Sequence, residues 1–287
     1  PPVASLDATA GQQMLEFLLE QPRAMDYTSY KHFSIERRGR IITLMLNRPP
    51  MNPIHYELHE ELSRIFYDVQ VDHECDVVIL TGAGEVFSAG GDIPMMQKRI
   101  DDPELFNRKN LEMKKMIFGL LDLEKPVIAR INGDCIGLGA TLALLCDISI
   151  AVEDAKLGDP HVKMGYVAGD GGAIIWPQLV GFARAKEYLL TGDLLSAKEA
   201  ERIGLINHAV PRAELDAKVN TLADKLANGA TKAIKWTKTS INIPLRQLAH
   251  SMLDASLAYE ALTNIGADHQ EAVTAFQEKR KPKFTGR

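Results

Sequence analysis

Apolar positions recur along this chain in two periods. The run Ile41-Ile42-Thr43-Leu44-Met45-Leu46 is nearly continuous, which predicts a buried strand, and the Asn47-Arg48-Pro49-Pro50 turn stops it. Tyr30 to Arg38 is a strand-like run just before it. From Tyr56 to Val71 the period becomes helical, with Leu58, Leu62, Ile65, Phe66 and Val69 at helix-face spacing. Val77-Val78-Ile79-Leu80 predicts a short buried strand ending in Thr81-Gly82-Ala83-Gly84. The pattern then repeats. A helix over 103–122 leads to a strand over 126–131, a Gly-containing loop, a short apolar helix over Ala140 to Leu145 and a strand over Ile148 to Ala151. From Gly171 onward the spacing is helical, apart from a short strand at Leu205 to Val210.

This alternation predicts an α/β architecture in which strand, turn and helix stack layer on layer. Residues 1–28 form an N-terminal appendage, within which Gly11 to Glu20 predicts an amphipathic helix ended by Pro22. Residues 29–195 form the core, and residues 196–287 a helical region.

Composition narrows the class. Of the 287 residues, 46% are hydrophobic and 25% charged, which fits a soluble globular protein. No apolar run reaches the roughly 18 residues of a membrane span. The first 25 residues lack the basic and apolar regions of a secretory signal, and cytoplasmic location is the expectation. The net charge of −5 argues against a nucleic-acid partner. Cys75, Cys135 and Cys146 have no CxxC spacing and read as reduced core thiols. His55 and His59 stand at metal-ligand spacing, but no third ligand accompanies them, and no metal is expected.

Two loops carry the candidate chemistry. In Phe87-Ser88-Ala89-Gly90-Gly91-Asp92-Ile93, small residues after a strand let the backbone approach a ligand and turn its N–H groups outward. Ile131-Asn132-Gly133-Asp134-Cys135-Ile136-Gly137-Leu138-Gly139-Ala140 runs from a strand through alternating glycines into a helix, whose N-terminus aims free N–H groups at an anion. Converging loops of this kind supply two donors to one developing oxyanion.

With these loops in this order, the chain resembles the crotonase (enoyl-CoA hydratase/isomerase) superfamily over residues 30–287. The resemblance rests on Leu46 to Pro49, Val78 to Gly82, Ser88 to Asp92, Lys125 to Ala129, Asn132-Gly133 with Gly137 and Gly139, Cys146-Asp147, Leu190 to Gly192, Ala197 to Gly204, and Phe276 to Pro282. It implies a spiral of ββα turns with a C-terminal helical trimerisation region, assembled as a homotrimer or homohexamer. It implies an acyl-CoA substrate, coenzyme A entering as part of that substrate, and no tightly bound cofactor. The oxyanion donors would be the N–H groups of Gly91 and Leu138. CoA would lie along Ala89, Gly90, Asp92 and Ile93, with Phe276 and Lys279 of a neighbouring subunit near the adenine.

Hydratases of this family use two glutamates, which the motifs place at Thr141 and His161, and neither is a carboxylate. A threonine hydroxyl is no general base near neutral pH without an activating partner. The stretch Gly158-Asp159-Pro160-His161, followed by Gly169-Asp170-Gly171-Gly172, instead resembles the oxocamphor-type β-diketone hydrolases of the superfamily. In that branch an active-site His and Asp match His161 and Asp170, a further His matches His59, and a Glu matches Glu260. Another histidine of the branch, near the second loop, falls on Leu138 or a neighbour and is missing. The residues alone also allow Asp170 to be a helix cap and His161 an ordinary loop histidine. The expected function is enolate chemistry on an acyl-CoA, with Thr141, His161, Asp170, His59 and Glu260 as candidate catalytic residues. Retro-Claisen cleavage of a β-diketone is the alternative, and a non-catalytic CoA-binding scaffold the rival.

Overall fold

The computed structural model describes residues 25–287. The expected helix at 11–20 lies outside the described residues. Strands β1 (Phe33–Arg38) and β2 (Ile41–Leu46) form an antiparallel hairpin through Gly39, whose φ of 58° suits glycine. Helix α1 (Tyr56–Val71) follows, then β3 (Val77–Gly82), parallel to β2 with Leu44 beside Leu80. Every residue of β3 is buried, so its sequence is a continuous apolar run rather than an alternation.

Helices α2 (Ile93–Asp101) and α3 (Pro103–Asp122) lead to β4 (Val127–Ile131), parallel to β3. The next turn comprises β5 (Cys135–Ile136), α4 (Leu138–Leu145), β6 (Ile148–Val152) and β7 (Lys156–Gly158). After a 3-10 turn at His161–Met164 come α5 (Gly172–Thr191), β8 (Leu195–Ser196), α6 (Ala197–Arg202) and β9 (His208–Val210). Six strands form one sheet in the order β1-β2-β3-β4-β6-β9, and β5-β7-β8 form a second. This is the layered α/β spiral that the alternation predicts. Three helices close the chain: α7 (Leu215–Ala227), α8 (Thr231–Asn264) and α9 (Ala267–Gln277).

The last strand is shorter than its apolar run. Leu205 and Ile206 are buried, but their N–H groups bond the Ala200 carbonyl in the turn that ends α6, and pairing with β6 begins only at His208. Because β9 joins the main sheet, the core's hydrogen bonding extends to Val210. Phe66, Leu58, Leu62 and Ile65 of α1 are almost wholly buried. Each such side chain contributes about 1.5–3 kcal/mol. Helix α3 packs against both α1 and α8. Lys238 of α8 bridges to Asp147 at 2.8 Å and donates to the Lys125 carbonyl, tying the C-terminal helices to the core. Among the described residues no helix is long and apolar enough to cross a membrane. The three thiols are unpaired, and burial pushes Cys75 up to about 11.

Candidate active site

The two glycine-bearing loops lie side by side. Ile136 N–H donates to the Ser88 carbonyl at 2.9 Å, and Phe87 N–H to the Asp134 carbonyl at 3.1 Å. Glycine is needed where they touch. Gly90 has φ 83°, and a Cβ there would lie 2.8 Å from the Ile136 carbonyl oxygen. A Cβ on Gly139 would lie 2.7 Å from that of Ser88. Gly91 leads into α2, and Leu138 is the first residue of α4. Among the described residues neither the Gly91 nor the Leu138 N–H meets an acceptor. Two free amides on abutting loops, one at a helix N-terminus, form a place for negative charge. Asp92 accepts from Met95 N–H at 3.3 Å as the cap of α2 and pairs with Arg48, while Ala89 and Ile93 flank the loop half-buried.

His161 stands against this junction, its Cε1 3.8 Å from where a Gly137 Cβ would be. Its ring is held on both sides. Nδ1 contacts Asp159, and Nε2 lies 3.3 Å from Asp170 Oδ2. The Asp170 carboxylate also takes the Gly172 N–H at the start of α5, as a helix cap would, and its Oδ1 accepts from the Thr141 hydroxyl at 3.3 Å. Both carboxylates are buried, and 12% of the His161 side chain remains accessible. Burial opposes charge on the imidazole, but Asp159 and then Asp170 outweigh it, raising its pKa well above the ordinary value. Burial also opposes the Asp170 carboxylate, yet His161 and Thr141 hold it below the ordinary range. Both shifts favour the charged forms, an imidazolium beside a carboxylate.

Glycines again make room. A Cβ on Gly172 would sit 2.1 Å from Asp159 Oδ2, and one on Gly171, at φ 118°, 2.8 Å from the Thr141 methyl. Asp159, His161 and Asp170 also form the one trio among the described residues with metal-ligand proximity. One ligand atom of each lies within 4.8 Å of the other two.

Behind Asp170 lies a second polar layer. Glu260 of α8 is 4% exposed. A Cβ on Gly169 would come within 2.9 Å of its Oε2. Burial, then the charge of Asp170, push its carboxyl up to about 8. His59 of α1 is 1% exposed, and its Nδ1 lies 2.8 Å from Glu112 Oε2. Burial lowers its pKa, so the ring is neutral. Arg99 is 7% exposed, with its guanidinium over the rings of Phe106 and Tyr56.

The structure thus brings His161, Asp170, Thr141 and the two loops together, and sets Glu260 and His59 behind them. Phe276 is exposed at the end of α9, with Lys279 just beyond it. Sequence reasoning missed Asp159, although it stands two residues before His161. It also missed Arg99 and Glu112, which have no motif around them. His269 went unnoticed as well. Its Nδ1 donates to the Met164 carbonyl at 2.6 Å and its ring stacks on Tyr166 with centroids 3.7 Å apart, gripping the turn that follows His161. A groove of about 520 Å³ between the 162–168 segment and α5 is apolar and is not lined by His161 or Asp170.

Known proteins share this arrangement of loops and layers. Residues 36–287 match the family model described as enoyl-CoA hydratase/isomerase. The short-chain-enoyl-CoA hydratase of Clostridium acetobutylicum is 36% identical over 255 residues, covering 86% of this chain and 95% of that protein. The crystal structure of an enoyl-CoA hydratase/isomerase from Mycobacterium paratuberculosis superposes with a TM-score of 0.83 at 33% identity, covering 86% of this chain and 99% of that one. A β-diketone hydrolase from the cyanobacterium Anabaena, bound to (S)-3-oxocyclohexyl acetic acid, has a TM-score of 0.78 at 29% identity, covering 86% and 98%. With the spiral, its paired glycine loops and matches that span nearly the whole described chain, the protein belongs to the enoyl-CoA hydratase/isomerase family of the crotonase superfamily.

Proposed function

We propose that this enzyme forms an enolate from an acyl-CoA thioester and that His161 carries the proton. The observation that supports this most is the imidazole of His161, held between the Asp159 and Asp170 carboxylates beside two backbone amides that meet no acceptor among the described residues. Gly91 and Leu138 N–H would hold the thioester oxygen as it gains charge, and the N-terminal end of α4 would add its dipole. Asp170, oriented by Thr141, would take a proton from the substrate in isomerisation, or from the water that adds to the β-carbon in hydration, and so form the enolate. His161, carrying its proton between the two carboxylates, would then deliver it to the enolate carbon. Hydration and isomerisation both fit this division of labour. Neither uses the glutamate pair, whose positions are Thr141 and His161.

Coenzyme A would enter with the substrate, its pantetheine passing Ala89, Gly90, Asp92 and Ile93. Phe276 and Lys279 of a neighbouring subunit would meet the adenine, in a homotrimer or homohexamer. The exposed Trp236, Ile241, Tyr259 and Leu262 of α8 give that assembly an apolar surface.

A second reading is hydrolytic C–C cleavage of a β-diketone. It is favoured by Glu260 and His59 standing behind Asp170 and by the likeness to the Anabaena hydrolase. One experiment separates the two. The pure protein is given enoyl-CoA thioesters and cyclic β-diketones in heavy-oxygen water, and the products are weighed by mass spectrometry. A labelled hydroxyacyl-CoA supports the first reading, and a labelled carboxylate from a cleaved diketone supports the second. CoA binding without any turnover would return the chain to a scaffold role.

A further inference from the structure

Three buried polar atoms lack a partner and belong to residues that line one small cavity. They are His59 Nε2, Arg99 Nε and Glu260 Oε2. The cavity measures about 10 Å³, the room of one water. A buried water ordinarily makes about three hydrogen bonds to groups otherwise unsatisfied. Donors and acceptors here are complementary. His59 Nδ1–H donates to the Glu112 carboxylate, which leaves Nε2 as an acceptor toward the cavity. Arg99 Nε–H donates. Glu260, neutral in its buried setting, donates its O–H. A water between them accepts twice and donates once.

We infer that this water joins Glu260 to Glu112 as a proton outlet from the active site, through His59. The inference rests on the second reading above, hydrolytic C–C cleavage of a β-diketone with His161 and Asp170 as the reacting pair. Its geometry runs from the catalytic layer to solvent. Glu260 lies within electrostatic reach of Asp170, His161, Asp159 and Arg99, and it lines the small cavity together with Arg99 and His59. His59 faces Glu112, Lys109 and Arg99. Glu112, 19% exposed, also binds Lys109 at 2.6 Å. In one passage the Glu260 O–H breaks and the water gains that proton. The water gives one of its own to His59 Nε2, and His59 gives its Nδ1 proton to Glu112. Glu112 releases it to solvent, and a turn of the His59 ring brings its remaining N–H back to the Glu112 side for the next passage. Glu260 is left as a carboxylate, reloaded by a proton freed at the Asp170 side. The outlet serves a reaction with net proton release, as hydrolysis to a carboxylate has and hydration or isomerisation lacks.

A high-resolution crystal structure of the wild-type protein tests the water directly. Density within hydrogen-bond reach of all three orphan atoms is expected; its absence overturns the proposal whatever the turnover. For transfer, hydrolysis of a cyclic β-diketone is followed by proton release in weakly buffered solution. Glu112→Gln is expected to lower kcat at least about tenfold with KM unchanged, and added imidazole buffer is expected to restore it, which a structural defect would not allow. Glu112→Asp should retain most of the rate. An unchanged kcat in Glu112→Gln, or a loss that buffer does not restore, overturns the relay. His161→Gln separates the two ideas: if it still turns over, the site reading fails, whereas a dead His161→Gln beside an unaffected Glu112→Gln removes the relay alone.

Discussion

Replacing Glu260 by glutamine keeps the shape of the side chain and removes its titration. The wild-type carboxyl is buried beside Asp170 and pushed up from 4.5 to about 8. A carboxyl raised in the folded state makes its full contribution to stability below the unfolded pKa. That contribution is lost as pH rises toward the folded pKa, because the native state alone retains the proton. A tenfold difference in proton affinity between the folded and unfolded states is worth roughly 1.4 kcal/mol. Between pH 4.5 and 8 the wild type should therefore lose about 5 kcal/mol that Glu260→Gln does not lose. Urea unfolding followed by circular dichroism, at pH 5, 6, 7 and 8 and one protein concentration, measures the difference. The variant's stability relative to wild type should climb by roughly 1.4 kcal/mol per pH unit. A difference that stays flat across the series would refute the reasoning, since Glu260 would then be ionised throughout.

Three further outcomes are expected. Asp159→Asn removes the first carboxylate that keeps His161 charged, so the alkaline limb of the kcat profile should move to lower pH, read from initial rates. Gly172→Ala places a methyl 2.1 Å from the buried Asp159 Oδ2, and should cost about 1–3 kcal/mol and most of the activity, measured by thermal unfolding and turnover. Asp170→Asn keeps the Thr141 contact but removes the charge beside His161, and kcat should fall roughly 10²-fold or more at neutral pH.

The fold was legible because its strands are uninterrupted apolar runs and α1 carries one clean face. Val77 to Leu80 could hardly be anything but a buried strand. The short strands β5, β7 and β8 were not legible, since two or three residues carry no period. Helix α2 was also missed: its start depends on the Asp92 cap, and its buried face includes a charged residue, Arg99. In the site, the glycine loops were visible because close approach demands glycine at Gly90 and Gly139, and the φ of 55° demands it at Gly137. His161 and Asp170 were found by resemblance, and no spacing rule would have joined them. Asp159 was overlooked because an Asp before Pro reads as a turn residue. Glu112 and Arg99 sit in ordinary helical sequence, and only the packing of α2, α3 and α8 makes them neighbours of His59 and Glu260.

Exchange of a proton between His161 and the carbon of a bound enolate is the step on which the proposed chemistry turns. Deuterium uptake at the α-carbon tests it most directly. Crotonyl-CoA is incubated with the protein in heavy water, and the hydroxyacyl-CoA formed is analysed by mass spectrometry. Uptake is expected with the wild type, and its loss, by about 10²-fold or more, with His161→Gln. Equal uptake by wild type and His161→Gln, or none by either, would contradict that role for His161.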